Sequence, residues 1–297
     1  MKKWRILLLL PLAFVACGGG GGGGGGEASG GGGGKEIPLS VSFLYPRGNQ
    51  LVGGLMTAEV GVAGTGIVNT QFFVDDVLVA TDSPEVRGIH SFDFDAGTLA
   101  AGTHTLKAVA TNTSGATTAA TVSVKVDPAE LRKQALQFLI DHNMNNGPFH
   151  FSGVRRWAVL PITLEVSKEI VDGGYFPVYQ QAAEFWKKYT GITFNVVPSA
   201  ENSVDTAGKN GVVFFEYGAS FGTQTWVNST TLAYNAAVAT VSGNNKILIA
   251  REIGRSLGIW SWADDIIIDA TSINPVAAAA MKILYFELVP GAPVPAS

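Results

Sequence analysis

The densest run of chemistry-bearing residues lies near the C-terminus, where Lys246 to Ser261 reads K-I-L-I-A-R-E-I-G-R-S-L-G-I-W-S. On a helix, Arg251 and Arg255 stand one turn apart, Glu252 lies three residues before Arg255, and Gly258 follows at the turn beyond. Two cations at that spacing repel by about 0.2–0.5 kcal/mol, so anionic partners are favoured. Glu252, Asp264 and Asp265 are the nearest in sequence. Arginine stays protonated and has no lone pair to offer a metal ion, so positions 251 and 255 would repel a cation rather than hold it. Salt-bridge chemistry, with Glu252 as a structural ion-pair residue, is the expectation from these residue types.

Other candidate sites are weaker. Gly218-Ala219-Ser220-Phe221-Gly222 matches G-x-S-x-G, but a nucleophile elbow must enter a helix and be followed in the chain by its histidine. Here Thr223 to Val227 has a strand pattern and all four histidines precede Ser220. His90 and His104 are expected as half-exposed strand residues, and His142 and His150 as surface residues of a Gly/Asn/Pro-rich connection. Asp75, Asp76, Asp82, Asp93 and Asp95 lack the spacing of a calcium loop and suit turns, where aspartate bonds its own backbone. A zinc site needs about three protein ligands, usually including histidine or cysteine. Neither residue type occurs after Ser152, so no cofactor is expected.

The elements that would position these residues divide the 297-residue chain into segments. Residues 1–16 combine Lys2, Lys3 and Arg5 with the apolar run Ile6 to Val15, which has the form of a signal peptide and is too short to span a bilayer permanently. Cys17 is the single cysteine, and residues 17–36 are dominated by glycine, as expected of a flexible tether. Residues 37–127 show short alternating strands: Gln71 to Ala80 forms two around an Asp75-Asp76 turn, and Ala101–Ala110 and Ala119–Val126 give two more. Asp127 is placed to cap a helix from Pro128 to about Ile140, which reads as a linker within residues 128–152. Residues 153–297 open with a strand over Trp157–Val166. They continue with a helix over Tyr179–Tyr189, strands at Thr193–Val197, Val212–Tyr217, Thr223–Val227 and Ala236–Thr240, and the Arg251/Glu252 helix over Lys246–Gly258. Last comes a helix after Asn274-Pro275, so the fold class expected is multidomain: an all-β sandwich followed by an α+β domain.

Three resemblances sharpen this. Phe14-Val15-Ala16-Cys17 resembles the lipobox of bacterial lipoproteins, which implies a lipid-modified Cys17 and an extracytoplasmic cell-envelope location. The V-D-D hairpin followed by G-T-H-T-L is similar to bacterial immunoglobulin-like domains. W-x-x-x-P-I, A-A-x-x-W-x-x-x-T-G-I-x-F, G-T-x-T-x-V and the Arg251–Ser261 segment, in that order, resemble the matrixin-type metzincin proteases. In that family H-E-x-x-H-x-x-G-x-x-H binds zinc and the glutamate polarises the bound water. Glu252 and Gly258 stand on the motif, whereas Arg251, Arg255 and Ser261 occupy the three ligand positions, and Ile266–Asp269 stands where the family's supporting methionine turn would fall. The implied function is binding or scaffolding of a protein or peptide by an inactive protease-like domain anchored to a membrane. A hydrolase or zinc metallopeptidase with an unrecognised site is the alternative. The formal net charge is −4, and loss of residues 1–16 would make it more negative still, which argues against nucleic acid as a partner.

Overall fold

A computed structural model describes residues 37–83, 88–146, 149–205, 208–242, 244–260 and 272–296. Eight strands come first: β1 (Ser40–Tyr45), β2 (Gln50–Val52), β3 (Leu55–Ala63), β4 (Ile67–Val74), β5 (Val77–Asp82), β6 (Gly88–Asp95), β7 (Gly102–Asn112) and β8 (Thr117–Val126). They form two sheets, ordered β1-β3-β6 and β2-β8-β7-β4-β5. Alternation decides which side chains meet between the sheets: Val60, Phe72, Phe92, Leu106 and Val124 all point into one core. Phe72 and Phe92 stack across it with ring centroids 4.3 Å apart.

The β4–β5 turn forms where the sequence places it. Asp75 (φ 49°) and Asp76 (φ 63°) both take left-handed backbone, as the mirror-image two-residue turn requires. The aspartates are held by local partners. Asp75 accepts from the Thr105 amide and pairs with His104, while Asp76 pairs with Lys107 and Asp95 accepts from the Gly97 amide. The expectation of half-exposed histidines fails for His90, which is buried, with Nδ1 3.0 Å from Asp82 Oδ2. Alternation along β6 turns its ring into the core face beside Phe92, where a carboxylate partner offsets burial of the imidazole.

The rest of the chain builds a second core. It comprises α1 (Pro128–Leu139), a π-helical turn (Ile140–Met144), β9 (Asn145–Asn146), β10 (Phe149–His150), β11 (Ile162–Val166) and α2 (Lys168–Asp172). Then follow α3 (Phe176–Thr190), β12 (Phe194–Pro198), β13 (Val212–Tyr217), β14 (Gly222–Val227), β15 (Tyr234–Val241), α4 (Lys246–Ser256), α5 (Pro275–Lys282) and a closing π-helical turn (Ile283–Glu287). The sheet order is β12-β11-β13-β15-β14, with β14 antiparallel to β15 at the edge and the other neighbours parallel. Asp127 accepts from the Glu130 amide at 3.0 Å and so caps α1. That helix is more than a linker, because its Ala135, Leu136 and Leu139 lie in the second core with α5's Ala277 and Met281.

Two local boundaries differ from the sequence reading. The first strand starts at Ile162 rather than Trp157, since Pro161 has no N–H to give a ladder. The Arg251/Glu252 helix ends at Ser256, after which Gly258 takes a φ of 106°. The two cores lie within one compact unit and meet through polar side chains. Thr57 on β3 donates to Asp93 at 2.6 Å and its hydroxyl lies 2.5 Å from that of Tyr189 on α3. Lys188 completes the junction, 2.8 Å from Asp93.

Candidate functional site

Helix α4 is started by Asn245, whose side chain accepts from the amides of Ile247 and Leu248. Its apolar side packs on α3. The Trp186 indole donates to Ala250 O at 2.7 Å, and a Cβ at Gly254 would fall 2.7 Å from the Trp186 ring. This close approach requires glycine at 254 and fixes the rotation of α4, which turns Glu252 inward, 2% exposed, toward the antiparallel edge strand.

Both carboxylate oxygens of Glu252 are engaged. Thr223 Oγ1 on β14 donates to Oε2 at 2.6 Å, and Arg255 Nη1 donates to Oε1 at 2.5 Å. The ion pair expected between Glu252 and Arg255 is present. Burial pushes the Glu252 carboxyl above its ordinary value, outweighing the downward pull of the Thr223 hydroxyl and of the Arg255 and Arg251 charges. Arg251 and Arg255 are both partly buried on the same helix. Ser261, Asp264, Asp265, the Ile266–Asp269 stretch and Cys17 lie outside the described residues.

The turn after α4 is clamped from below. Asn143 Nδ2 donates to Gly258 O at 2.9 Å and to Arg155 O at 2.7 Å, while its Oδ1 accepts from the Arg155 amide at 2.8 Å. Trp157 donates to Ser256 O and Tyr285 to Leu257 O, so successive carbonyls at the helix end have buried partners. The Trp260 amide donates to His142 O at 2.8 Å. The turn carrying His142 therefore meets the motif segment with its backbone, while the imidazole packs on Phe138 with centroids 4.3 Å apart. His150 is exposed and bonds Asn145. Ser220 is exposed in the bend between two strands, so no elbow forms around it.

Zinc, the metal implied by the metzincin resemblance, does not fit these residues. Guanidinium groups stand at 251 and 255, Glu252 is bonded to Thr223 and Arg255, and no group of three His, Cys, Asp or Glu that could hold a metal occurs among the described residues. Sequence reasoning missed Thr223, Asn143 and Tyr285. Thr223 lay within the quoted G-T-x-T-x-V segment, but nothing in the sequence paired it with Glu252.

No protein-family model and no curated protein matches the chain. Among solved structures it is similar to the fibronectin(III)-like modules of Clostridium thermocellum CbhA, at 20% identity over 29% of this chain and 94% of that one, with a TM-score of 0.25. The CARDB domain of a Pyrococcus furiosus protein is matched at 18% identity over 31% of this chain and 90% of that one, also with a TM-score of 0.25. The immunoglobulin-like β-sandwich stands on the pairing of its own two sheets, β1 to β8.

Proposed function

We propose that the chain is a bacterial cell-envelope lipoprotein whose second domain is a metzincin-like fold without a zinc site, acting by binding or scaffolding rather than by hydrolysis. The observation that carries this is that Glu252 is tied to Arg255 as an ion pair and accepts from Thr223, while guanidinium groups, which have no lone pair to offer a metal, stand at 251 and 255. The order of elements supports the likeness, with a helix (α3), a five-stranded sheet with one antiparallel edge strand, and the glutamate helix beside that edge. Strand β14 pairs only with β15 among the described strands, and its outer edge is where an extended peptide would add to the sheet.

Purified protein incubated with unstructured proteins and peptide libraries is expected to bind without cutting and to hold no stoichiometric zinc after dialysis. Cleavage abolished by Glu252→Ala, or one zinc per chain lost on that substitution, would instead establish the metallopeptidase alternative. The membrane attachment rests on the signal-like segment and Cys17. The mature chain is expected to fractionate with membranes, and unchanged processing and fractionation of Cys17→Ala would refute the lipid anchor.

A further inference from the structure

At one end of the sandwich, His104 on β7 joins the β4–β5 turn to the connection that runs from β6 into β7. Its Nδ1 lies 2.5 Å from Asp75 Oδ2 in the turn, and its Nε2 lies 2.8 Å from Ala100 O in the connection. Both neighbours are acceptors only, because an ionised carboxylate and a carbonyl oxygen have no hydrogen to give. A neutral imidazole carries one N–H, so its other nitrogen would turn a lone pair toward an oxygen. The imidazolium, with a donor at each nitrogen, satisfies both contacts at once. His90 differs: its Nδ1 faces Asp82 while its Nε2 has no hydrogen-bond partner among the described residues, so one ring N–H is enough there.

The surroundings favour the same form. Asp75 supplies the charge that acts on the ring, and it is fixed in place: its Oδ1 accepts from the Thr105 amide at 2.8 Å, and its own N–H donates to Thr105 O at 2.9 Å. Neighbouring charges have other partners. Asp76 is paired with Lys107, Lys125 with Asp127, and Asp95 accepts from the Gly97 amide, while the residue opposite His104 on β8 is Val124. The bonds to Asp75 and to Ala100 O raise the imidazole above its ordinary value against a smaller opposing effect of burial, and the ring and the Thr105 amide hold Asp75 below its own.

A deprotonated ring must choose between its two neighbours. The carboxylate is the stronger acceptor, so the remaining N–H stays on Nδ1 and the bare Nε2 is left against Ala100 O. We infer that His104 is a pH-sensitive clasp: as imidazolium it ties the Asp75-Asp76 turn to the connection before β7, and loss of its second proton releases Leu99 to Ala101 while the turn stays attached. The stability that the clasp contributes is complete below the unfolded value of about 6.5 and is lost as pH rises through the raised folded one.

Nitrogen NMR of the full chain, titrated across neutrality, tests this. It should show both ring nitrogens of His104 protonated at pH 6.5 and a midpoint above that value. Backbone order parameters of Leu99 to Ala101 should fall from about 0.85 toward about 0.6 with the same midpoint, while Asp75 and Thr105 keep theirs. Asp75→Asn separates a clasp from a merely structural bond. Asparagine tolerates the left-handed backbone at 75 (φ 49°), keeps an acceptor for the Thr105 amide and offers Nδ1 an N–H, so a neutral ring can donate from Nε2 to Ala100 O. In that variant Leu99 to Ala101 should stay ordered throughout the titration. The proposal is overturned if His104 titrates at or below 6.5, if the order of Leu99 to Ala101 does not follow the ring, or if Asp75→Asn leaves the pH dependence unchanged.

Discussion

Replacing Gly258 by alanine is expected to destabilise the protein by about 3 kcal/mol or more, a large fraction of the roughly 5–15 kcal/mol of an ordinary domain. Two effects combine. The backbone φ of 106° lies where an L side chain is strained, by about 1–3 kcal/mol. The new Cβ would also sit 2.7 Å from Arg155 O, 2.7 Å from Asn143 Nδ2 and 3.1 Å from the Tyr234 hydroxyl. None of these can retreat cheaply: Asn143 is fully buried and holds the carbonyls of both Arg155 and Gly258, and Tyr234 is a core residue. Displacing Asn143 would strand buried polar groups at about 1–3 kcal/mol each. Gly115→Ala provides the control, because that glycine also has a left-handed φ, 80°, but nothing stands within 4 Å of its Cβ. Chemical denaturation of the two variants should show the Gly115 change costing about 1–2 kcal/mol and the Gly258 change clearly more. Equal losses would mean that the clamp around Gly258 is loose.

This clamp also shows where sequence reading stops. Local physics was legible: the Asp75-Asp76 turn, the Asp127 cap, the buried face of α3 and the alternation of β7 and β8 follow from turn chemistry, capping and periodicity within a few residues. The Glu252–Arg255 pair was legible for the same reason, since both sit on one helix three residues apart. Asn143 and Gly258 are separated by 115 positions, and Thr223 and Glu252 by 29. Such pairs exist only because the sheet order brings β14 beside α4 and folds the loop after α1 beneath the end of α4. Composition and spacing hold no record of that order. His90 illustrates the same limit in the sandwich: its strand was visible, but the face it points to depends on the sheet packed against it.

Glu252 itself gives the second large effect, and its sign distinguishes a structural carboxylate from a merely retained one. Burial raises the folded carboxyl above its ordinary value of 4.5, and the Thr223 hydroxyl and the Arg255 and Arg251 charges only partly oppose this. The folded protein therefore holds this proton more tightly than the unfolded chain does. Stability from this group is fully present below the unfolded value and is lost as pH rises through the raised folded one. Glutamine resembles the protonated acid: it keeps an acceptor for Thr223 and carries no charge. Glu252→Gln should therefore gain stability relative to the parent as pH climbs from about 4 toward neutrality, because only the parent loses stability through this group over that interval. Glu252→Leu should behave differently, since it removes the carboxylate to which both Thr223 and Arg255 donate. With the Arg255 side chain only 18% exposed, breaking that pair should cost about 3 kcal/mol at neutral pH, the low end of the range for an ion pair that loses one member. Urea denaturation of the three proteins at several pH values reads both effects. If the parent instead gained stability over Glu252→Gln with rising pH, Arg255 would be outweighing burial, and the pair would be a net electrostatic stabiliser of α4 against β14.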